Sequence, residues 1–161
     1  MNLIYAELAE RIRGAVQDLD RVVQRASMAW TQARRMSDAD AYLDSTALNL
    51  HGFYSGLERV FELIVRHVDR AVPSGETWHR NLLNQVSQDL VDIRPAVISQ
   101  NSALMLDEFR RFRHLVRNVY TMNLVPERMA GLMTTVPGLW LTLRAELLAF
   151  ADFLEALAQT D

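Results

Sequence analysis

Apolar residues recur every three or four positions along most of this 161-residue chain, a spacing that predicts amphipathic α-helices. The first predicted helix spans about residues 3–35. A second follows the break at Ser37 and continues to about residue 68, before Pro73. Their apolar stripes are Leu8, Ile12, Ala15, Leu19, Val22, Ala26, Ala29 and Ala33, then Leu50, Phe53, Leu57, Val60, Ile64 and Val68. No stretch convincingly predicts a β-strand.

Three further helices are predicted over about residues 76–91, 101–120 and 139–158. The connection before residue 101 contains Arg94-Pro95, and the residue before a proline avoids the helical region. A short helical turn is predicted after Pro126, and Val136-Pro137-Gly138 is predicted to separate it from the last helix. These elements predict an all-α, up-and-down helical bundle of about five long helices plus a short one, forming a single domain over residues 1–161.

Composition narrows the possible functions. The net charge of −3 argues against general nucleic-acid binding by the whole surface, although a local basic strip can still serve that purpose. The chain has no lysine, which codon bias explains most simply, and no cysteine, which excludes disulfides and thiolate chemistry. No apolar run approaches the roughly 20 residues of a membrane span, and the N-terminus lacks a signal-peptide core. We therefore expect a cytoplasmic protein with no membrane association.

The most informative segment is residues 108–120, with the sequence EFRRFRHLVRNVY. Four arginines fall within eight positions: Arg110, Arg111, Arg113 and Arg117. At about 100° per residue, its phenylalanines and valines form one apolar stripe, and Arg113, Arg117 and Tyr120 lie on the edge of that stripe. An arginine in this position requires a partner, because a buried unpaired charge is costly. The partner could be a carboxylate, a second copy of the chain, or a phosphate.

Two interpretations of this segment follow from the residues. The simpler one is a solvated helix face on which Asp107 and Glu108 form local ion pairs with Arg111. The functional one combines arginines that bind phosphate with His114, which can move the proton of a ribose 2′-hydroxyl. These groups meet the needs of RNA cleavage without a metal or a cysteine.

The segment also resembles the motif of the HEPN superfamily, and within it that of the HepT-like toxins paired with minimal nucleotidyltransferase antitoxins. The family motif is Arg-Asn-x-x-x-His-x-Tyr, and this chain has Arg113-His114-Leu115-Val116-Arg117-Asn118-Val119-Tyr120. The arginine and the tyrosine match at the family spacing, whereas the histidine and the asparagine have exchanged places. The order of helices is similar as well, so the resemblance covers most of the chain.

The resemblance implies an endoribonuclease that acts as a homodimer, with both motif helices lining one cleft. Arg113 would bind and polarise the scissile phosphate, and His114 would take the role of the family histidine, with Asn118 as the third catalytic residue. Arg110 and Arg117 would bind the substrate phosphate beside them. Tyr120 would match the tyrosine that the partner nucleotidyltransferase modifies with AMP to silence the toxin.

Two histidines outside the motif are further candidates. His79, in Thr77-Trp78-His79-Arg80, is either a helix-start histidine hydrogen-bonded locally or a substrate-binding residue that supplements the cleft from a neighbouring helix. His51 precedes two glycines of the second helix, Gly52 and Gly56, which we interpret as a surface for tight helix packing. His67, followed by Asp69, is expected at the surface.

Other chemistry has little support in the sequence. The chain has no HExxH motif and no glycine-rich phosphate loop, so we expect no metal, no cofactor and no ATP binding by this chain alone. The alternative to a ribonuclease is a non-catalytic HEPN-like interaction module that binds a nucleotidyltransferase partner. In that case Arg113 and Arg117 would form ion pairs with acidic residues such as Asp44 or Glu58.

Overall fold

The computed structural model describes residues 1–118 and 126–160, apart from the side chains of residues 117 and 118. The described residues form the helices α1 (Leu3–Arg35), α2 (Asp40–Ile64), α3 (Trp78–Val86), α4 (Gln100–Asn118) and α5 (Pro126–Gln159), and a π-helical turn (Val65–Asp69) extends α2. Within these residues there is no β-strand. The prediction of an all-α helical bundle is confirmed.

The body of the bundle consists of α1, α2 and α5, since α1 packs along both of the others. Arg13 of α1 donates to Asp152 and Glu155 of α5 at 2.8 and 2.6 Å, and these hydrogen bonds raise the pKa of Arg13. Further along the same interface, Trp140 Nε1 donates to Asp20 Oδ1 at 2.7 Å. The two long helices are therefore joined by polar contacts at two levels of a mainly apolar interface.

The start of α1 lies beside the end of α5. The backbone N–H of Asn2 donates to the carbonyl of Ala158 at 2.8 Å. The Asn2 side chain in turn accepts from the backbone N–H of Ile4 at 3.1 Å, which satisfies a donor that the first helical turn leaves without a partner. One asparagine thus begins α1 and connects it to α5.

Helix α5 is continuous from Pro126 to Gln159, so the predicted separation at Val136-Pro137-Gly138 is wrong. A proline in a helix interior costs about 3 kcal/mol, because it removes a donor and crowds the preceding turn. Here the Pro137 ring is exposed, whereas Val136, Leu139 and Trp140 are buried beside it. Burial of this continuous apolar face outweighs the local penalty.

A buried ion pair fixes the irregular segments on either side of α3. Arg94 Nε donates to Asp69 Oδ1 at 2.5 Å and Nη2 donates to Oδ2 at 2.7 Å, with the two side chains 0% and 1% exposed. Arg94 also donates to the backbone carbonyls of Gln85, Gln88 and Pro95. His67, which was expected at the surface, is partly buried, and Arg94 from the next connection encloses the side chain of Asp69 two residues later.

The glycines of α2 differ in their surroundings. A Cβ atom at Gly56 would lie 2.9 Å from Leu19 Cδ2 of α1, so this position does pack tightly. At Gly52 no atom lies within 4 Å of the corresponding position. Tight packing therefore explains Gly56 and does not explain Gly52.

None of the described helices is both long enough and apolar enough to cross a membrane.

Candidate functional site

The arginines of α4 divide into two groups according to their position around the helix. Phe109 and Phe112 are buried, which places Arg110 and Arg113 on the border of the core and directs Arg111 towards solvent. The Phe109 ring meets Phe53 of α2 edge to face, with 5.5 Å between the ring centroids. This aromatic contact brings the border arginines of α4 next to the polar residues of α2.

Arg110 and Arg111 form ion pairs within their own helix. Arg110 Nε donates to Asp107 Oδ1 at 2.7 Å, while Arg111 lies 2.9 Å from Asp107 Oδ2 and 3.4 Å from Glu108 Oε1. Burial by itself raises the pKa of Asp107, but the hydrogen bonds and charges of the two arginines outweigh it, and the pKa lies below its ordinary value. The expected local ion pairs of Arg111 with Asp107 and Glu108 are present.

Arg113 instead contacts a different helix through an uncharged group. Its Nε donates to Ser55 Oγ of α2 at 2.8 Å. No carboxylate of the described residues lies within ion-pair distance of Arg113, so the predicted pair with Asp44 or Glu58 is not formed among them. The hydroxyl orients the guanidinium without neutralising it, and the positive charge remains available to an anion.

Glu58, one turn further along α2, binds His79 of α3. The carboxylate is buried, with its side chain 5% exposed, and its Oε2 lies 2.7 Å from His79 Nδ1. The imidazole remains 23% exposed and stacks on the neighbouring Trp78, with ring centroids 3.6 Å apart. Local hydrogen bonding does not account for His79, because its partner is 21 residues away in the sequence.

Tyr54 lies between these two contacts and is buried, with 1% of its surface exposed. Burial raises the pKa of its hydroxyl, as does the negative charge of Glu58, while the charges of Arg110 and Arg113 oppose the change. The hydroxyl therefore senses charges from both α2 and α4. We call Tyr54 and the five residues linked to it the polar cluster: Tyr54, Ser55, Glu58, His79, Arg110 and Arg113.

The structure brings together three of the residues singled out from the sequence, namely Arg110, Arg113 and His79. His114 follows Arg113 on α4 and is exposed. Tyr120 and the side chains of Arg117 and Asn118 lie outside the described part of the structure.

Two members of the cluster were not predicted as site residues, Tyr54 and Ser55, and Glu58 was expected only as an ion-pair partner. The sequence does contain a signal for Glu58, because it lies between Leu57 and Val60 in the most apolar part of α2. A carboxylate on a buried stripe requires a partner. The identity of that partner depends on how α3 packs against α2, which spacing along one helix does not reveal.

An open groove of about 700 Å³ lies between α3 and α4, and it is linked to the polar cluster by Arg80, which follows His79, and by Asp107, which binds Arg110. One wall contains Arg80, Asn81 and Asn84 of α3, and the other contains Asp107 and Arg111 of α4. Amides, guanidinium groups and carboxylates are the groups that recognise nucleotides through hydrogen bonds. The groove therefore presents polar groups of α3 and α4, while the cluster connects these two helices to α2.

Comparison with known proteins gives one match. A family model described as HepT-like protein matches residues 45–154. No curated protein and no solved structure shows significant similarity to the chain. The matched region includes α3, α4, most of α2 and most of α5, and therefore every residue of the polar cluster. Since the match covers well over half of the chain, the protein belongs to the HepT-like family of the HEPN superfamily.

Proposed function

We propose that this protein is the toxin of a toxin–antitoxin pair and that it cleaves RNA without a metal ion. The observation that carries the proposal is Arg113, whose guanidinium is held by Ser55 at 2.8 Å and by no described carboxylate. A positioned and unneutralised arginine suits a phosphodiester, because its N–H groups bind the phosphate oxygens and stabilise charge that develops on them.

The remaining groups supply the other requirements of cleavage by a ribose 2′-hydroxyl. Arg110 adds a second guanidinium to the same surface, with Asp107 holding it at 2.7 Å. Arg117 would add a third from the next turn of α4. His114 is exposed beside Arg113 and is the histidine closest to the family motif, so a side chain capable of proton transfer lies next to the phosphate-binding arginine. Asn118 would complete the motif residues as the sequence predicts them.

Family membership supports the choice of partners. We propose that the antitoxin is a minimal nucleotidyltransferase that modifies Tyr120 with AMP, and that two copies of the chain pair with their motif helices facing one cleft. A phosphate-containing group on Tyr120 would add negative charge three positions from Arg117 in the sequence. That charge would occupy the arginines and repel RNA.

A second function has an observation in its favour. Asp107 binds both Arg110 and Arg111, so two of the four arginines have carboxylate partners within their own helix. That arrangement is typical of a structural surface, and it supports a non-catalytic module that binds the nucleotidyltransferase. The ribonuclease requires Arg113 to bind the phosphate of RNA, whereas the interaction module does not.

The test is cleavage of a mixed tRNA and mRNA pool by the purified protein in the presence of EDTA. We expect cleavage by the unmodified protein. The cleavage rate should fall by about 100-fold or more in Arg113→Ala, because the negative charge of the transition state loses a hydrogen-bond donor that stabilises it. Arg21→Ala, which removes an exposed arginine of α1, is the matched control and should cleave normally. Absence of cleavage by folded, unmodified protein would favour the interaction module.

A further inference from the structure

We infer that His79, held by Glu58, is the residue that accepts the 2′-hydroxyl proton in this reaction. The inference rests on the proposed ribonuclease function and assigns its proton transfer to α3 rather than to the motif helix α4. Glu58 acts as a positioning residue, because it contacts His79 and not the substrate.

One turn of α2 holds both of the groups that the reaction needs. Ser55 and Glu58 are three residues apart, so their Cβ atoms are separated by about 5–6 Å. Ser55 holds the Arg113 guanidinium at 2.8 Å, and Glu58 holds the His79 imidazole at 2.7 Å. A single helical turn therefore anchors both a phosphate-binding group and a proton-accepting group, the two groups that one nucleotide must contact for cleavage by its 2′-hydroxyl.

The hydrogen bond also determines which nitrogen of His79 is available. An ionised carboxylate only accepts hydrogen bonds, so Nδ1 carries the hydrogen and the neutral ring keeps its lone pair on Nε2. Stacking on Trp78 restricts rotation of the ring, and 23% of the side chain remains exposed to a substrate. His79 is thus a base of defined tautomer and orientation, and its neighbour Arg80 lines the groove between α3 and α4.

His79 is supported by a carboxylate whose side chain is 5% exposed, and the imidazole itself is partly buried, whereas His114 lies on the exposed side of α4. A buried carboxylate that holds a histidine orients it and stabilises the protonated ring that forms during the reaction.

Nε2 of His79 takes the proton of the ribose 2′-hydroxyl while the 2′-oxygen forms a bond to phosphorus. The bond between phosphorus and the 5′-oxygen breaks, and the leaving oxygen takes a proton from solvent water. Arg113 binds the phosphate oxygens throughout. The products are a 2′,3′-cyclic phosphate and a 5′-hydroxyl, and His79 returns its proton to solvent.

Single-turnover cleavage of RNA by the full chain tests the assignment, with His79→Gln, His114→Gln and Arg113→Ala compared side by side. Glutamine at position 79 can still donate to Glu58 but cannot exchange a proton, so folding is preserved more readily than with alanine. We expect about 100-fold slower cleavage in His79→Gln. His67→Gln, at a partly buried histidine on the π-helical turn, is the matched control and should match the unmodified protein.

A second measurement separates positioning from folding. In unmodified protein, nitrogen-15 NMR should find the hydrogen of neutral His79 on Nδ1, and Glu58→Gln should disturb that preference. The same variant should lower kcat by more than about tenfold with little change in KM. Free imidazole should restore part of the activity of His79→Ala, which a merely structural histidine would not allow.

The outcomes distinguish this inference from the proposed function. Loss of cleavage in Arg113→Ala together with normal cleavage in His79→Gln would overturn the role of His79 and leave the ribonuclease in place. A hydrogen on Nε2 of His79 would overturn it as well. No cleavage by the unmodified protein would overturn both.

Discussion

At the scale of single residues, the polar cluster depends on polar groups placed within an apolar helix face. Tyr54 and Glu58 are both buried, and each is surrounded by groups of other helices. Such groups stabilise the fold only while their partners and protonation states are maintained. The clearest thermodynamic consequence concerns Tyr54.

Replacement of Tyr54 by phenylalanine should reduce the alkaline sensitivity of the protein. Burial raises the pKa of Tyr54 above that of an unfolded tyrosine, which is about 10. The folded state therefore retains a proton that the unfolded state loses, and the associated stability is present below about pH 10 and declines above it, by at most about 1.4 kcal/mol per pH unit. Urea unfolding at pH 8 and pH 11 measures the difference.

The matched control is Tyr42→Phe, at an exposed tyrosine near the start of α2. It should lose the same free energy of unfolding between the two pH values as the unmodified protein, whereas Tyr54→Phe should lose less. Equal losses in all three proteins would contradict the role assigned to burial of Tyr54.

At the scale of helices, the periodicity of apolar residues predicted each helix, and the ends were predicted best where a local signal agreed with packing. The boundaries of α1 match the prediction because Asn2 caps one end and Met36 leaves the helical region at the other. Helix α5 shows the opposite case, since Pro137 and Gly138 are strong local signals for a break that buried neighbours override. The pattern of apolar residues along the chain does not reveal whether burial of the neighbouring residues outweighs the local signal for a break.

The exposed proline of α5 leads to a prediction about stability. Pro137→Ala should raise the free energy of unfolding by about 1–3 kcal/mol, because it restores a helical donor at a solvent-facing position. Gly138→Ala should add about 0.5–1 kcal/mol, since no atom lies within 4 Å of its Cβ position. Urea unfolding of both variants provides the measurement. A destabilised Pro137→Ala would contradict the assigned penalty and indicate that the proline itself supports the packing of α5.

At the scale of the whole molecule, a net charge of −3 coexists with a local basic surface on α4. The spacing of these arginines on one helix is fixed by helical geometry, so the sequence alone predicts that Arg113 borders the core. The positions of Ser55 and Glu58 opposite them depend on the register between α2, α3 and α4, which the pattern of one helix does not predict. Of the three helices that form the polar cluster, the sequence therefore predicted most clearly the contribution of α4.

The acidic body and the basic surface together predict strongly salt-dependent RNA binding. For single-stranded RNA, the logarithm of the binding constant falls with the logarithm of salt concentration by about 0.7 for each phosphate contacted. Arg113→Ala should reduce that slope by about 0.7, whereas Arg21→Ala should leave it unchanged. Fluorescence anisotropy of a labelled RNA across a salt series gives both slopes. An unchanged slope in Arg113→Ala would show that this arginine does not contact phosphate.

The hydrogen bond between Asn2 and Ala158 has a practical consequence for engineering. Because these residues are neighbours, a few-residue linker should join them, and the chain could be reopened between the π-helical turn and α3. Such a circular permutant would keep every helix contact while separating α2 from α3 in the order of synthesis. If Glu58 and His79 still meet when they belong to opposite ends of the polypeptide, helix packing alone is sufficient to assemble the cluster.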